Sequence, residues 1–179
     1  NPALMKMDSD VVLAIAGDWG TGPFDSHAPA VAVANQMQLA QADFTIHLGD
    51  VYYAGTHSQE DVDMVGWPMG KHGSFTLNSN HEMYSGAHGY FKELAKRFPA
   101  QQGTSYFALY NDDWLVVGLD TAYASDAINL YMDGTLNKEQ IAWMKELPQR
   151  KKIMVLSHHQ GFDISGHNKT ALYQPVCDA

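Results

Sequence analysis

The chain has 179 residues, 45% of them hydrophobic and 17% charged, which suits one domain with a substantial core and excludes a disordered segment. Eleven Lys and Arg against twenty Asp and Glu give a formal charge of −9, and the longest basic run is Arg150-Lys151-Lys152, so a surface that binds nucleic acid by neutralising phosphates is excluded. The single cysteine, Cys177, excludes an intrachain disulfide and a cysteine-rich metal knot, and no stretch of 18 apolar residues offers a membrane span.

Residues 1–10 read as a loose lead-in without a signal-type segment, so a soluble chain of unassigned compartment is expected. No repeat or linker divides residues 11–179, and a single domain is expected there. Val11 to Ala16 is a β-branched run that predicts a strand, followed by a Gly-rich loop from Gly17 to Pro23 and a helix from about Ser26 to Ala42. Phe44 to Leu48 is the second strand, and the resulting βαβ unit predicts parallel pairing. Residues 49–73 lack periodicity and are rich in Gly, His and Asp, as in an active-site loop. Ser74 to Leu77 predicts a short strand and Tyr90 to Phe98 a helix. Ser105 to Tyr110 and Trp114 to Asp120 flank Asn111-Asp112-Asp113, the pattern of a hairpin. Asn137 and Gln140 form a capping box for a helix reaching Pro148, and Lys152 to Ser157 closes the series as a buried strand. The alternation predicts a layered α/β fold with a mixed sheet.

Four apolar runs end abruptly at polar clusters: VVLAIA at Gly17-Asp18-Trp19-Gly20, FTIHL at Gly49-Asp50-Val51-Tyr52-Tyr53, SFTL at Asn78-Ser79-Asn80-His81-Glu82, and IMVLS at His158-His159. Ligands of open α/β sheets collect beyond the carboxyl ends of strands, so these residues are expected on one rim. Mixed oxygen and nitrogen donors suit hard-to-borderline divalent and trivalent metals. A dinuclear site needs a bridging ligand, and the two oxygens of Asp50 suit that role. Asp18 would hold one ion. The neutral donors Asn80 and His158 would hold the other without cancelling its charge. Ions roughly 3.5–4 Å apart polarise phosphoryl oxygens and generate hydroxide near neutral pH.

These residues resemble the calcineurin-like metallophosphoesterases, specifically the purple acid phosphatase branch, which is marked by GDxG, GDxxY, GNH(E/D), VxxH and a final GHxH. The chain offers the first four in order, with Ser79 in place of the glycine of the third and Val155-Leu156-Ser157-His158 as the fourth. The resemblance runs from Val11 to about Gln174 and implies an αββα sandwich with mixed sheets. It implies Fe(III) held by Asp18, Asp50 and Tyr53, and Fe(II), Zn(II) or Mn(II) held by Asp50, Asn80 and His158. Within the superfamily a ligand histidine often stands two residues after the first aspartate. Here that position is Gly20, and Tyr53 is the tyrosine by which the purple branch replaces it.

His81 matches the histidine of GNH(E/D), which assists the leaving oxygen, and His167, nine residues after His158, matches a second substrate-facing histidine. GHxH is missing: Gly166-His167-Asn168-Lys169 imitates only its first half. A piece of a longer protein is therefore expected, lacking its C-terminal part and two metal ligands, with an exposed sheet edge open to self-association. The implied activity is hydrolysis of a small-molecule phosphomonoester by a metal-activated hydroxide. The alternatives are a phosphodiesterase, or a non-catalytic metal- or phosphate-binding domain. Trp67, Met69 and Tyr84 are candidates for a wall around the leaving group or for core positions. His159 is expected only to line the pocket. His27, His57, His72 and His88 read as surface or loop residues, and His47 as a packed one.

Overall fold

The computed structural model describes residues 1–19 and 29–179. Strands β2 (Leu13–Ala16), β3 (Phe44–His47) and β4 (Gly73–Thr76) form one sheet in that order, all parallel, with Ala16, His47 and Thr76 side by side. Strands β1 (Ala3–Lys6), β5 (Phe107–Tyr110), β6 (Trp114–Leu119) and β7 (Lys152–Ser157) form a second sheet in the order β1-β5-β6-β7. That sheet is mixed, because the β5–β6 hairpin is antiparallel while β1–β5 and β6–β7 are parallel. The helices are α1 (Pro29–Ala40), α2 (His57–Asp63), α3 (Asn80–Tyr84), α4 (His88–Arg97), α5 (Lys138–Lys145) and α6 (Tyr173–Asp178).

Every residue of β3 is buried, as expected of a central parallel strand covered on both faces. Alternation of side chains sends Phe44, Ile46, Phe75 and Leu77 toward the second sheet, where they meet Ala3, Met7, Phe107, Leu109 and Val116. The rings of Phe75 and Phe107 stack with centroids 4.3 Å apart. Gly118 is the register partner of Phe107, and any Cβ there would collide with that ring. A second cluster, with Ala34, Met37, Trp67, Tyr90, Leu94 and Phe98, joins the helical elements α1 and α4 to the first sheet. A third joins Leu115, Val117 and Leu119 of β6 to Met144, Leu147 and Leu172 around α5 and α6. The layers therefore run helices, sheet, sheet, helices.

The first ten residues are not a loose lead-in. Ala3, Met5 and Met7 alternate inward, β1 pairs with β5, and the Met7 N–H continues the ladder to the Tyr110 carbonyl at 2.8 Å. The predicted Gly-rich loop and the start of the first helix lie partly in residues 20–28, outside the described residues, as do Gly20 and His27. Residues 49–73 contain α2, begun by a capping box in which the Thr56 side chain accepts from the Gln59 N–H and Gln59 reaches back to the Thr56 N–H. At α5 only half of the predicted box forms. Asn137 accepts from the Gln140 N–H at 2.8 Å, but the Gln140 amide instead bonds the backbone N–H and C=O of Asp120. β7 lies at a sheet edge with Ile153 and Val155 exposed. Among the described residues no helix is long and apolar enough to cross a membrane.

Glu60 is buried between α2 and α4, and its Oε1 has no hydrogen-bond partner among the described residues. Burial first, then the charges of Glu82 and Glu93, push its pKa up to about 9. A folded-state pKa above the unfolded value means that the folded state holds the extra proton, so this contribution to stability is complete below about pH 4.5 and is lost as pH rises toward 9. Glu60→Gln, which keeps the shape without the charge, should flatten the decline of Tm between pH 5 and pH 9 measured by thermal unfolding. An unchanged slope would assign the decline elsewhere.

Candidate metal centre

The three parallel strands of the first sheet end in register, so the turns after them share one rim. Asp18 follows β2, Asp50 follows β3, and Asn80 opens α3 beyond β4. Two backbone bonds lock the first two turns together: the Asp18 N–H donates to the Gly49 carbonyl at 2.9 Å and the Trp19 N–H to the Asp50 carbonyl at 2.7 Å. Asp18, Gly49 and Asp50 have φ of 56°, 93° and 69°. Aspartate tolerates the left-handed region better than most residues, and the cost is of order 1 kcal/mol or more at each such position. At Gly49 a Cβ would also stand 2.8 Å from that of Ser79. His158 arrives from the other sheet, directly after β7, with Nδ1 3.1 Å from the Leu48 carbonyl.

Glu82 fixes the Asp50 turn. Its carboxyl is buried, and it accepts from the Val51 N–H at 2.6 Å and the Asp50 N–H at 3.3 Å. Ser79 sits between Glu82 and Asp50 and hydrogen-bonds both carboxyls. Burial foremost, together with the Asp50 charge, raises the pKa of Glu82. Ser79 also accepts, through its hydroxyl, from the His81 N–H at 3.1 Å as the cap of α3. Its φ of −136° and ψ of 178° are extended, so replacing a glycine here strains nothing.

The Asp50 Oδ1 that accepts from Ser79 also faces His158. The His158 ring, donating from Nδ1 to Leu48, turns Nε2 toward Asn80 Oδ1 at 2.8 Å and Asp50 Oδ1 at 3.4 Å. Asn80 is oriented by its amide nitrogen, which donates to the Tyr84 hydroxyl at 2.9 Å and lies 3.5 Å from the Met132 sulfur, so its oxygen faces the cluster. His158 Nε2, Asn80 Oδ1 and Asp50 Oδ1 thus face one another. The donor set fits a cation there.

The tyrosine at the carboxylates is Tyr52. Its hydroxyl donates to Asp18 Oδ1 at 2.9 Å and lies 3.2 Å from Asp50 Oδ2, and partial burial followed by these carboxylates raises its pKa. Tyr53, expected from the sequence pattern, turns its ring outward, 69% exposed, and only its carbonyl enters the cluster, accepting from His81 Nδ1 at 2.6 Å. Adjacent residues of a loop point in different directions, so the sequence could not distinguish the pair. His81 Nε2 faces Asp50 Oδ2 at 3.9 Å. Asp18, Asp50, Asn80, His81 and His158 are thus brought together.

His167 is not brought in. Its loop closes on Asp163, whose Oδ1 accepts from the N–H groups of Ser165, His167 and Asn168, and the imidazole is exposed without a hydrogen bond to the cluster. His159 is structural: its two ring nitrogens bond the Thr121 hydroxyl at 2.8 Å and the Tyr131 carbonyl at 2.7 Å, and burial lowers its pKa. Trp67 packs in the core against Trp19 and His47, and Met69 lines a separate groove with Met37 and Gln38, so of the three proposed wall residues only Tyr84 reaches the site. His47 is a packed histidine bonded to the Thr76 hydroxyl.

Asp120 directly follows β6, ending the VVGLD run as the other polar clusters end theirs. It is buried, receives Asn78 Nδ2 at 3.3 Å, and caps the turn through the Ala122 and Tyr123 N–H groups, each at 3.0 Å. Among the described residues, no group of three or more His, Cys, Asp or Glu side chains surrounds one point as an ion would require. A cavity of about 510 Å³ lies elsewhere, between the Asn1–Leu4 segment and Trp143. No protein-family model matches the chain, and a search of curated proteins finds no match either.

Removing the Glu82 carboxyl would orphan the Asp50 and Val51 N–H groups inside the protein, at roughly 1–3 kcal/mol per group. Glu82→Ala should therefore destabilise the chain by about 3 kcal/mol or more in urea unfolding, with Glu82→Gln losing less. Equal stability of Glu82→Ala and the parent chain would mean that the turn holds itself.

Proposed function

We propose that this cluster is the metal centre of a phosphoric ester hydrolase of the calcineurin-like metallophosphoesterase type, close to the purple acid phosphatases, acting on a phosphomonoester. The observation that carries the reading is the convergence of the His158, Asn80 and Asp50 lone pairs at 2.8–3.4 Å, beside a second corner formed by Asp18, Asp50 and Tyr52. The helix-sheet-sheet-helix layering, with the cluster at the carboxyl ends of parallel strands, supports the corresponding αββα sandwich. Asp50, Asn80 and His158 would hold a divalent ion, Fe(II), Zn(II) or Mn(II), and Asp18, Asp50 and a tyrosine would hold Fe(III). When bound, such a pair supplies an activated hydroxide and positive charge for the phosphoryl oxygens.

The protein's own groups carry the remaining work. Asp50 presents one oxygen to each corner, and the Ser79–Glu82 pair holds it in that orientation. His81 is fixed through Nδ1 on the Tyr53 carbonyl, so Nε2 is the nitrogen available to pass a proton to a leaving oxygen. His167, in the exposed loop closed by Asp163, is left out of this reading. A non-catalytic metal- or phosphate-binding domain is the second reading. The sparse set of charged donors at the cluster favours it, and binding without turnover would identify it.

Loading the chain with iron and zinc should give bound metal by elemental analysis and hydrolysis of phenyl phosphate, both lost in Asp50→Ala. Full metal content and turnover in that variant would refute the bridging role. Because the Tyr52 hydroxyl is the one at the carboxylates, Tyr52→Phe should abolish the visible phenolate-to-iron band of the Fe(III)-loaded protein, whereas Tyr53→Phe keeps it. The reverse result would return the ligand role to Tyr53.

A further inference from the structure

Helix α2 carries no residue of the rim cluster, yet both of its ends are tied to the turns that form it. At its start the Gln59 amide oxygen accepts from the Ala54 and Thr56 N–H groups, each at 3.1 Å, and the Gly55 N–H reaches back to the Val51 carbonyl at 3.0 Å. The loop so held contains Tyr52, whose hydroxyl meets Asp18 and Asp50, and Tyr53, whose carbonyl holds His81. At the other end the Asp63 carbonyl accepts from the indole N–H of Trp19, the residue after Asp18, at 2.8 Å. Behind these ties α2 packs against α4. A Cβ at Gly89 would collide with the Gly55 carbonyl oxygen and stand 2.9 Å from Glu60 Cγ, so the contact has no slack.

Into this contact the chain places the Glu60 carboxyl, 3% exposed, with Oε1 unpartnered among the described residues. The charged groups acting most strongly on it are carboxyls: Glu82 from α3, Glu93 from α4, and Asp63 and Asp61 from its own helix. The neighbouring cations are engaged elsewhere, Lys92 and Lys96 on Asp61, and Lys96 and Arg97 on Glu93. Tyr90 of α4, also close enough to feel the Glu60 charge, spends its hydroxyl on the Thr76 carbonyl. An ionised Glu60 would be an uncompensated charge among like charges in a dry contact, and it is relieved only by a proton or by water.

We propose that α2 is a proton-dependent brace: with Glu60 neutral it clamps the turns after β2 and β3 together, and when Glu60 ionises it separates from α4 and both turns lose their tie. The device does not depend on what the rim binds. Its sign follows from the closed state holding the extra proton, so opening becomes easier as pH rises from the ordinary glutamate range toward 9. Asp63, pushed up to about 6 by burial, ionises earlier and is already charged in the upper part of that range.

Hydrogen exchange of the whole chain, followed amide by amide with the intrinsic pH dependence divided out, reads the brace directly. Between pH 7 and pH 8.5 the amides of Glu60 to Met64 and of Gly55 should lose about tenfold or more in protection. About 1 M urea should leave that protection unchanged, because a local opening exposes little surface, and β3 should stay the better protected at every pH. In Glu60→Gln the protection of α2 should hold within about twofold over the same range, and Glu60→Leu, the variant that decides if the amide does not fold, should behave alike. A loss in these variants equal to that of the parent chain would overturn the role of Glu60. Amides of α2 that exchange only together with β3 and share its urea dependence, or a Gly55 amide that keeps its protection while α2 opens, would overturn the brace.

Discussion

A buried carboxyl bonded to the backbone of one turn and to one serine hydroxyl is the constraint from which the site follows. Glu82 lies out of reach of water, and burial makes its ionised form costly, while it receives the Val51 and Asp50 N–H groups. Those two bonds hold the turn after β3 in its left-handed conformation, and the Ser79 hydroxyl ties the Glu82 carboxyl to that of Asp50. The orientation of Asp50 is thereby settled by residues that could never touch a substrate. A site whose central ligand is positioned from behind can leave its front open.

At the front the Tyr52 hydroxyl lies between two carboxylates, and His158 Nε2 faces the side-chain oxygens of Asn80 and Asp50. Acceptors crowded in this way would be relieved by positive charge. Burial first, and then the carboxylates of Asp18 and Asp50, raise the pKa of Tyr52, and the same carboxylates would favour a cation beside it. Cation binding would then stabilise the fold as well as equip it, by mass action on a state that only the folded chain presents.

Strand-end logic made Asp18, Asp50, Asn80 and His158 legible before any coordinates, because register, once parallel pairing is granted, carries the ends of β2, β3 and β4 to one rim. It failed where geometry inside a loop decides. Tyr52 and Tyr53 are chemically identical neighbours, and the distinction between them depends on backbone dihedrals that no spacing rule encodes. His167 was placed by its distance from His158 along the chain, yet Asp163 gathers that segment into a closed turn of its own. β1 was overlooked because its apolar positions alternate over only a few residues, a weak signal until β5 is there to pair with it. The capping box of α2 and the strand-ending Asp120 were readable by the rules applied elsewhere in the chain.

His158 reaches Asp50 from the second sheet, and this ties function to the packing of the core. The β7 strand that carries it is held by β6, and β6 meets the first sheet through Val116 and, via its hairpin partner, Phe107 stacked on Phe75. A shift of the two sheets by a fraction of a side chain would separate the imidazole from Asn80 without altering any residue of the cluster. Core substitutions between the sheets should therefore weaken ligand binding beyond their effect on stability, whereas substitutions of equal severity under α5 and α6 should cost stability alone. The first set moves one half of the site against the other; the second leaves both halves on the same rigid interface.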